Sequence, residues 1–311
     1  MTDTPMPPMR LGTRGSPLAL AQAHQTRDRL IASGVSGDDI TITIFKTSGD
    51  RIQDRPLSEV GGKGLFTKEL EDALLAGTID AAVHSMKDMA TALPEGLRVA
   101  VVLPREDVRD AFVSLKYNRL ADLPNGAVFG TSSIRRQAQL LRLRPDLKIV
   151  GFRGNVETRL KKLGDGIADA TLLAAAGLNR LGMADRIAEM IATETLLPAP
   201  AQGAVAIEIR ASDEQTAHRL AALDHQPSHI ATLAERAFLK VLDGSCRTPI
   251  AALAQLADGQ LSFRGEVISP DGRKHVAVAR QASPQEAVRM GADAGAEVLA
   301  RAGADLLGAR V

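Results

Sequence analysis

The first two-thirds of the chain alternates short apolar runs with amphipathic stretches, and this alternation limits the fold more than any other feature. Ile40 to Phe45 swaps Thr and Ile as a strand does, whereas Ser16-Pro17 opens a stretch with helical spacing to about Ile31. Ser is a favoured N-cap and Pro a favoured first helical residue. Strands interleaved with helices predict an α/β architecture. On this reading Arg10 to Thr13, Ala81 to His84 and Leu97 to Leu103 are strands, and Leu65 to Leu75 is a helix. Lys46 to Gly64 is polar and Gly-rich and reads as a long loop, a length usually tied to function or mobility.

From about Pro104 a second alternating unit begins. Its strands are Ala127 to Gly130, Leu147 to Val150 and Asp169 to Ala174. Its helices are capped by Thr131-Ser132-Ser133, running to about Leu143, and then span Val156 to Leu163. Pro198-Ala199-Pro200 interrupts the pattern, and Ala204 to Ile209 reads as a strand that crosses back to the first unit. The last third changes character. Ile230 to Leu242 is an amphipathic helix, Asp258-Gly259 and Asp271-Gly272 are hairpin turn signals, and a helix from about Pro284 to Ala302 follows. That pattern predicts a small antiparallel α+β domain with Cys246 near its start.

Composition excludes several classes. At 311 residues the chain is long for one core, and about two or three domains are expected. A formal charge of +1 implies no polyelectrolyte partner. Trp is absent and aromatics make up 3%, which argues against a base-stacking nucleic-acid surface. No apolar stretch approaches the ~20 residues of a membrane span. Met1 to Arg10 is Pro-rich, lacks the apolar core of a signal peptide and reads as a disordered tail. One cysteine and no export signal fit a reducing cytoplasm.

Cations mark the expected ligand. Arg14, Arg135, Arg136 and Arg153 fall at or just after strand ends, and Arg159 and Arg180 on the helices that follow. In open α/β sheets ligands bind outside the carboxyl ends of strands, where helix N-termini add free N–H groups. Ser16 and Thr131-Ser132-Ser133 add hydroxyls at two such termini. Arginine grips carboxylate or phosphate in bidentate fashion, so the implied ligand is a small polyanion. Any single arginine of this kind is as readily a solvated helix face; the shared topological position is what argues for a site.

Lys63 in Gly61-Gly62-Lys63-Gly64 lacks the spacing of a phosphate loop and reads as a cationic lid or a flexible surface loop. Asp88, in His84-Ser85-Met86-Lys87-Asp88, follows an apolar strand directly. A carboxylate in a cationic cleft serves as acid, base or cation stabiliser; alone, it would simply cap a turn or pair with Lys87. His84 reads as a hydrogen-bonded strand-end residue, and no histidine spacing suggests a metal site. Cys246 cannot form an internal disulfide. Single cysteines are ordinarily buried small hydrophobes, but its small and cationic neighbours favour an accessible thiolate.

Taken together, Thr13-Arg14-Gly15-Ser16-Pro17-Leu18-Ala19-Leu20, Gly61-Gly62-Lys63-Gly64-Leu65-Phe66, Val83-His84-Ser85-Met86-Lys87-Asp88 and Gly130-Thr131-Ser132-Ser133-Ile134-Arg135-Arg136-Gln137 resemble the porphobilinogen deaminases, also called hydroxymethylbilane synthases. Arg153-Gly154-Asn155-Val156, Ala176-Gly177-Leu178-Asn179-Arg180-Leu181-Gly182, Gln202-Gly203-Ala204 and the Cys246 segment extend the resemblance, which runs from about Arg10 to about Ala302. It implies two lobes like those of periplasmic binding proteins, joined by a double crossover, plus a small α+β domain. The expected domains are 1–103 with 204–222, 104–203 and 223–311. It also implies a transferase of tetrapyrrole biosynthesis. Four porphobilinogen molecules condense head to tail on a dipyrromethane cofactor tethered by thioether to Cys246. Four ammonia molecules leave, and hydrolysis releases hydroxymethylbilane. Asp88 matches the catalytic carboxylate. Lys87, Thr131, Ser132, Ser133, Arg135 and Arg136 match cofactor contacts, and Arg14, Ser16, Lys63, Arg153, Arg159 and Arg180 match substrate contacts. A cytoplasmic monomer without metal is the further implication. Ser245, Glu59 and Ser48 depart from residues common in the family, which leaves the lid's contacts open. The alternative from another class is a non-catalytic two-lobed protein that binds a small polycarboxylate. It needs the same arginines and gives Cys246 no role.

Overall fold

The computed structural model describes residues 7–51, 64–242 and 248–307. The first stretch holds β1 (Met9–Arg14), α1 (Pro17–Ala32), β2 (Ile40–Phe45), α2 (Ser48–Arg51), α3 (Lys68–Leu75), β3 (Ala81–Ser85) and β4 (Leu97–Val102). The second holds β5 (Asp110–Val113), β6 (Val128–Gly130), α4 (Ile134–Leu143), β7 (Lys148–Val150), α5 (Val156–Gly164), β8 (Ala170–Ala174), α6 (Ala175–Arg180) and β9 (Glu189–Met190). Then follow β10 (Val205–Arg210), α7 (Glu214–Leu220), α8 (Gln226–Val241), β11 (Ile250–Ala257), β12 (Gln260–Ile268), β13 (His275–Ala282) and α9 (Ala287–Leu307). The architecture is α/β, with two sheet-containing lobes and a small C-terminal domain. By contacts, 7–51, 64–105 and 204–229 form one compact unit, and 106–203, 230–242 and 248–307 another.

In the first unit the strand order is β2-β1-β3-β10-β4. β1 runs parallel to β2, from Met9↔Ile40 to Arg14↔Phe45, and parallel to β3. β10 is inserted antiparallel, with Val205 beside Ser85. Leu11, Val83, Val101 and Ile207 meet in the core beneath. α1 begins where its cap predicts, since Ser16 Oγ accepts a hydrogen bond from Ala19 N (3.3 Å) and Pro17 takes the first helical position.

The second unit repeats this scheme as β7-β6-β8-β5-β9. β6, β7 and β8 are parallel, and β5 is inserted antiparallel with Asp110 beside Ala174. In both sheets, therefore, the inserted strand starts beside the carboxyl end of the third parallel strand. The same unit holds the antiparallel meander β11-β12-β13, with α8 and α9 contributing to its core. Phe238 and Phe263 pack edge to face at 5.2 Å between ring centroids. Gly291 lets the two helices touch, because a Cβ there would lie 2.0 Å from Ala234 O.

Several elements differ from the sequence reading, among them α7, which was not foreseen. Lys46 to Gly64 was expected as loop throughout, but Ser48–Arg51 forms a helical turn, tied down by Ser48 Oγ donating to Glu69 Oε1 (2.6 Å). Residues 52–63 of that segment lie outside the described residues. β5 was not foreseen, because its short apolar run follows the charged stretch Arg105 to Asp110. β9 spans only Glu189–Met190, too short for any alternation to register.

Candidate active site

Each unit gathers polar side chains at the carboxyl ends of its parallel strands. In the first, Arg14 closes β1 and lies over the Phe66 ring, 4.2 Å from its centroid. Ser16 caps α1 next to it. β3 ends at Ser85, whose Oγ accepts from the buried Gln22 Nε2 (2.9 Å). The chain then makes a tight turn, Met86–Asp88. Met86 is buried and its N donates to Ala204 O (3.0 Å), while Lys87 and Asp88 are exposed. The turn is thus anchored at its first residue and presents the carboxylate at its last. Beneath it, buried His84 is paired through Nε2 with buried Glu208 Oε2 (3.0 Å), in keeping with a hydrogen-bonded strand-end histidine.

In the second unit β6 ends at Gly130 and the hydroxyl run follows. Thr131 Oγ1 accepts from Ser133 N (3.1 Å), and Ser132 Oγ accepts from Phe152 N (2.8 Å). Ser133 Oγ caps α4 by accepting from Arg136 N (3.4 Å). Arg153 follows β7, Arg159 lies on α5, and both are half-buried. Arg180 ends α6, and its Nη2 donates to Gly203 O (2.8 Å).

Arg135 and Arg136 are each only 6% exposed, and both turn inward onto Asp110, which is fully buried. Their Nη2 atoms donate to Asp110 Oδ2 and Oδ1, each at 2.8 Å. Their Nη1 atoms donate to Leu197 O (2.8 Å) and Leu172 O (3.0 Å). Two guanidinium groups cannot be desolvated without a counter-charge, and the strand inserted beside β8 supplies it. Asp110 was missed from the sequence. It ends a run of alternating charges that reads as solvated loop, and its one signal was the apolar Ala111-Phe112-Val113 after it.

Asp110 is the carboxylate that both guanidinium groups hydrogen-bond, and Glu266 adds a weaker attraction for Arg135. Arg135 Nε and Arg136 Nε are buried without a hydrogen-bond partner among the described residues. Burial alone would raise the Asp110 carboxyl, but Arg135 and Arg136 outweigh it and hold it well below the usual carboxylate range. A carboxyl depressed in the folded state adds stability above its unfolded pKa of about 3.9 and loses it as pH falls through the folded value. Urea unfolding is therefore expected to show stability falling below about pH 4. Asp110→Asn is expected to lose about 3–5 kcal/mol at pH 7, with a shallower acid dependence, because it strands two buried cations.

Cys246 and Lys63 lie outside the described residues. α8 ends at Val241 before the cysteine and β11 starts at Ile250 after it. Among the described residues, no group of three His, Cys, Asp or Glu could hold a metal ion, and no helix is long and apolar enough to cross a membrane.

Comparison with known proteins adds a family to this geometry. Residues 9–218 match the family model "Porphobilinogen deaminase, dipyromethane cofactor binding domain", and residues 229–300 match "Porphobilinogen deaminase, C-terminal domain". Porphobilinogen deaminase of Paracoccus denitrificans is 56% identical over 308 residues, 98% of each chain. That of Nitrobacter winogradskyi is 54% identical over 294 residues, covering 94% of this chain and 93% of its own. Among solved structures, a nutrient binding protein from Burkholderia cenocepacia bound to methionine aligns over 68% of this chain and 90% of its own, at 16% identity and a TM-score of 0.42. The chain, matched by both family domains and by full-length relatives, belongs to the porphobilinogen deaminase family.

Proposed function

We propose that the protein joins four porphobilinogen molecules head to tail, with loss of four ammonia molecules, on a dipyrromethane primer, and releases hydroxymethylbilane by hydrolysis. The observation that carries this reading is 56% identity to a porphobilinogen deaminase over 98% of the chain. The site fits the cofactor chemically. Dipyrromethane carries acetate and propionate arms, and the Arg135–Arg136–Asp110 cluster has two buried N–H donors without a partner among the described residues. Arg135, Arg136, Lys87 and the Thr131 to Ser133 hydroxyls would hold it, with Cys246 as its point of attachment. When bound, it supplies the nucleophilic pyrrole carbon from which the chain grows.

The rest of the reaction falls to the protein's own groups. Arg14, Lys63, Arg153, Arg159 and Arg180 neutralise the acidic arms of incoming porphobilinogen, and together with the Ser16 hydroxyl they set its register. Asp88, presented by its anchored turn, is the carboxylate that would meet the positive charge developing as ammonia departs from the aminomethyl carbon. As the carboxylic acid it helps protonate the leaving amine; the carboxylate so formed favours the developing charge electrostatically and accepts the proton lost from the attacked pyrrole carbon. Covalent tethering keeps every intermediate at high effective concentration, so successive condensations need no recapture. The proposal includes the three-domain division 1–103 with 204–222, 104–203 and 223–311. It also includes a monomer acting in the cytoplasm without metal, which the single cysteine of the chain suits.

Intact mass tests this directly. Protein purified from cells that make porphobilinogen is expected to weigh more than its sequence by two pyrrole units, and to turn red with Ehrlich's reagent. A mass equal to the sequence alone, together with absent turnover, would leave the non-catalytic polycarboxylate-binding alternative in its place.

A further inference from the structure

Residues 197–203 cross the second unit as an irregular strap between β9 and β10, and three of its groups hold the arginine cluster in place. Leu197 O accepts from Arg135 Nη1 (2.8 Å). Gly203 O accepts from Arg180 Nη2 (2.8 Å). Gln202, fully buried, donates from Nε2 to Asp110 Oδ1 (2.8 Å), the same carboxylate that grips Arg135 and Arg136. Moving the strap would therefore move all three guanidinium groups.

The strap is held in an unfavourable conformation. Gln202 N donates to Ala199 O (2.9 Å), Pro200 takes the second position of this turn, and Ala201 takes the third with φ of 61°. That is the pattern of a type II turn, whose third position suits glycine. An alanine there crowds its Cβ against the next carbonyl oxygen. Glu235, fully buried in α8, supplies the restraint. Its Oε2 accepts from Ala201 N (2.5 Å) and its Oε1 from Ala254 N of β11 (2.7 Å). Pro198 O accepts from Ala252 N (3.1 Å), which docks the other end of the strap on the same strand. Gly203 completes the fit, because a Cβ there would lie 2.5 Å from Glu106 O.

We propose that Glu235 is a positioning residue. By holding Ala201 in its left-handed conformation it fixes the strap, and the strap sets the register of Arg135, Arg136 and Arg180 towards the acidic arms of substrate and cofactor. The inference rests on the function proposed above and adds to it a link between α8, which leads towards Cys246, and the arginines that receive the growing chain.

The test compares the purified holoenzyme with its Glu235→Gln variant by intact mass, thermal unfolding and steady-state kinetics with porphobilinogen. KM is expected to rise about tenfold with kcat reduced less than about threefold, since small displacements of positioning groups cost up to ~100-fold. Adding Ala201→Gly, which tolerates the positive φ without restraint, is expected to return KM to within about threefold of the parent. An unchanged KM in Glu235→Gln overturns the proposal, as does a raised KM that Ala201→Gly fails to relieve. Should Glu235→Gln not fold, Gln202→Met is read in the same assay. It leaves Glu235 and the turn in place and removes the bond to Asp110, so a raised KM supports the proposal and an unchanged KM overturns it. A parent protein with neither added mass nor turnover sinks the functional reading and this inference with it. An active parent with an unaltered variant sinks this inference alone.

Discussion

Asp88→Asn is expected to keep the added mass of the attached cofactor and to lose turnover of porphobilinogen by about 10²–10⁴-fold, the range of a positioned acid–base group. The substitution preserves shape and removes charge. Asp88 is exposed on a turn whose anchor is the buried Met86, so the fold has little stake in the carboxylate. Stability is expected to stay within about 0.5 kcal/mol of the parent, as for most surface changes. The loss should fall on kcat rather than KM, because the carboxylate meets its full partner only when the departing amine leaves positive charge behind. Steady-state rates and intact mass on the same preparation check this. A variant with the parent's kcat would remove Asp88 from the reaction.

Cys246→Ser is expected to give protein whose mass equals its own sequence, which stays colourless with Ehrlich's reagent and does not turn over. A thiolate attacks carbon where a neutral hydroxyl does not. The change is nearly isosteric, so loss of activity would trace to the missing bond rather than to misfolding, and an unfolding curve measured alongside confirms that. A normally loaded serine variant would move the attachment to another residue. Together the two substitutions separate tether from chemistry: one variant carries the primer and cannot extend it, the other never acquires it.

Much of the fold could be read locally. β2 coincides with its Thr–Ile alternation, and α1 starts at its Ser-Pro signal, because side-chain periodicity and capping depend only on near neighbours. The positions of Arg14 and Asp88 were legible for the same reason: one ends an apolar strand and the other lies three residues past one, so strand direction alone puts them at the carboxyl edge of the sheet. Asp110 was not. Its role depends on β5 entering antiparallel beside β8, which brings it to Arg135 and Arg136 across 25 and 26 residues of chain. Nothing in the composition of Arg105 to Asp110 distinguishes it from a solvated loop.

Glu235 makes the same point more sharply. In sequence it is one more charge on an amphipathic helix. In the structure it is fully buried and holds backbone amides 34 and 19 residues away. Local pattern is enough to say which segments are strands or helices and which charges sit at strand ends, because those properties follow from bonds and neighbours a few residues apart. Which of those charges turn inward, and what holds them, follows from the antiparallel insertion of one strand and the docking of one strap. Those are long-range contacts, and desolvation makes an opposite charge obligatory wherever they bury a cation.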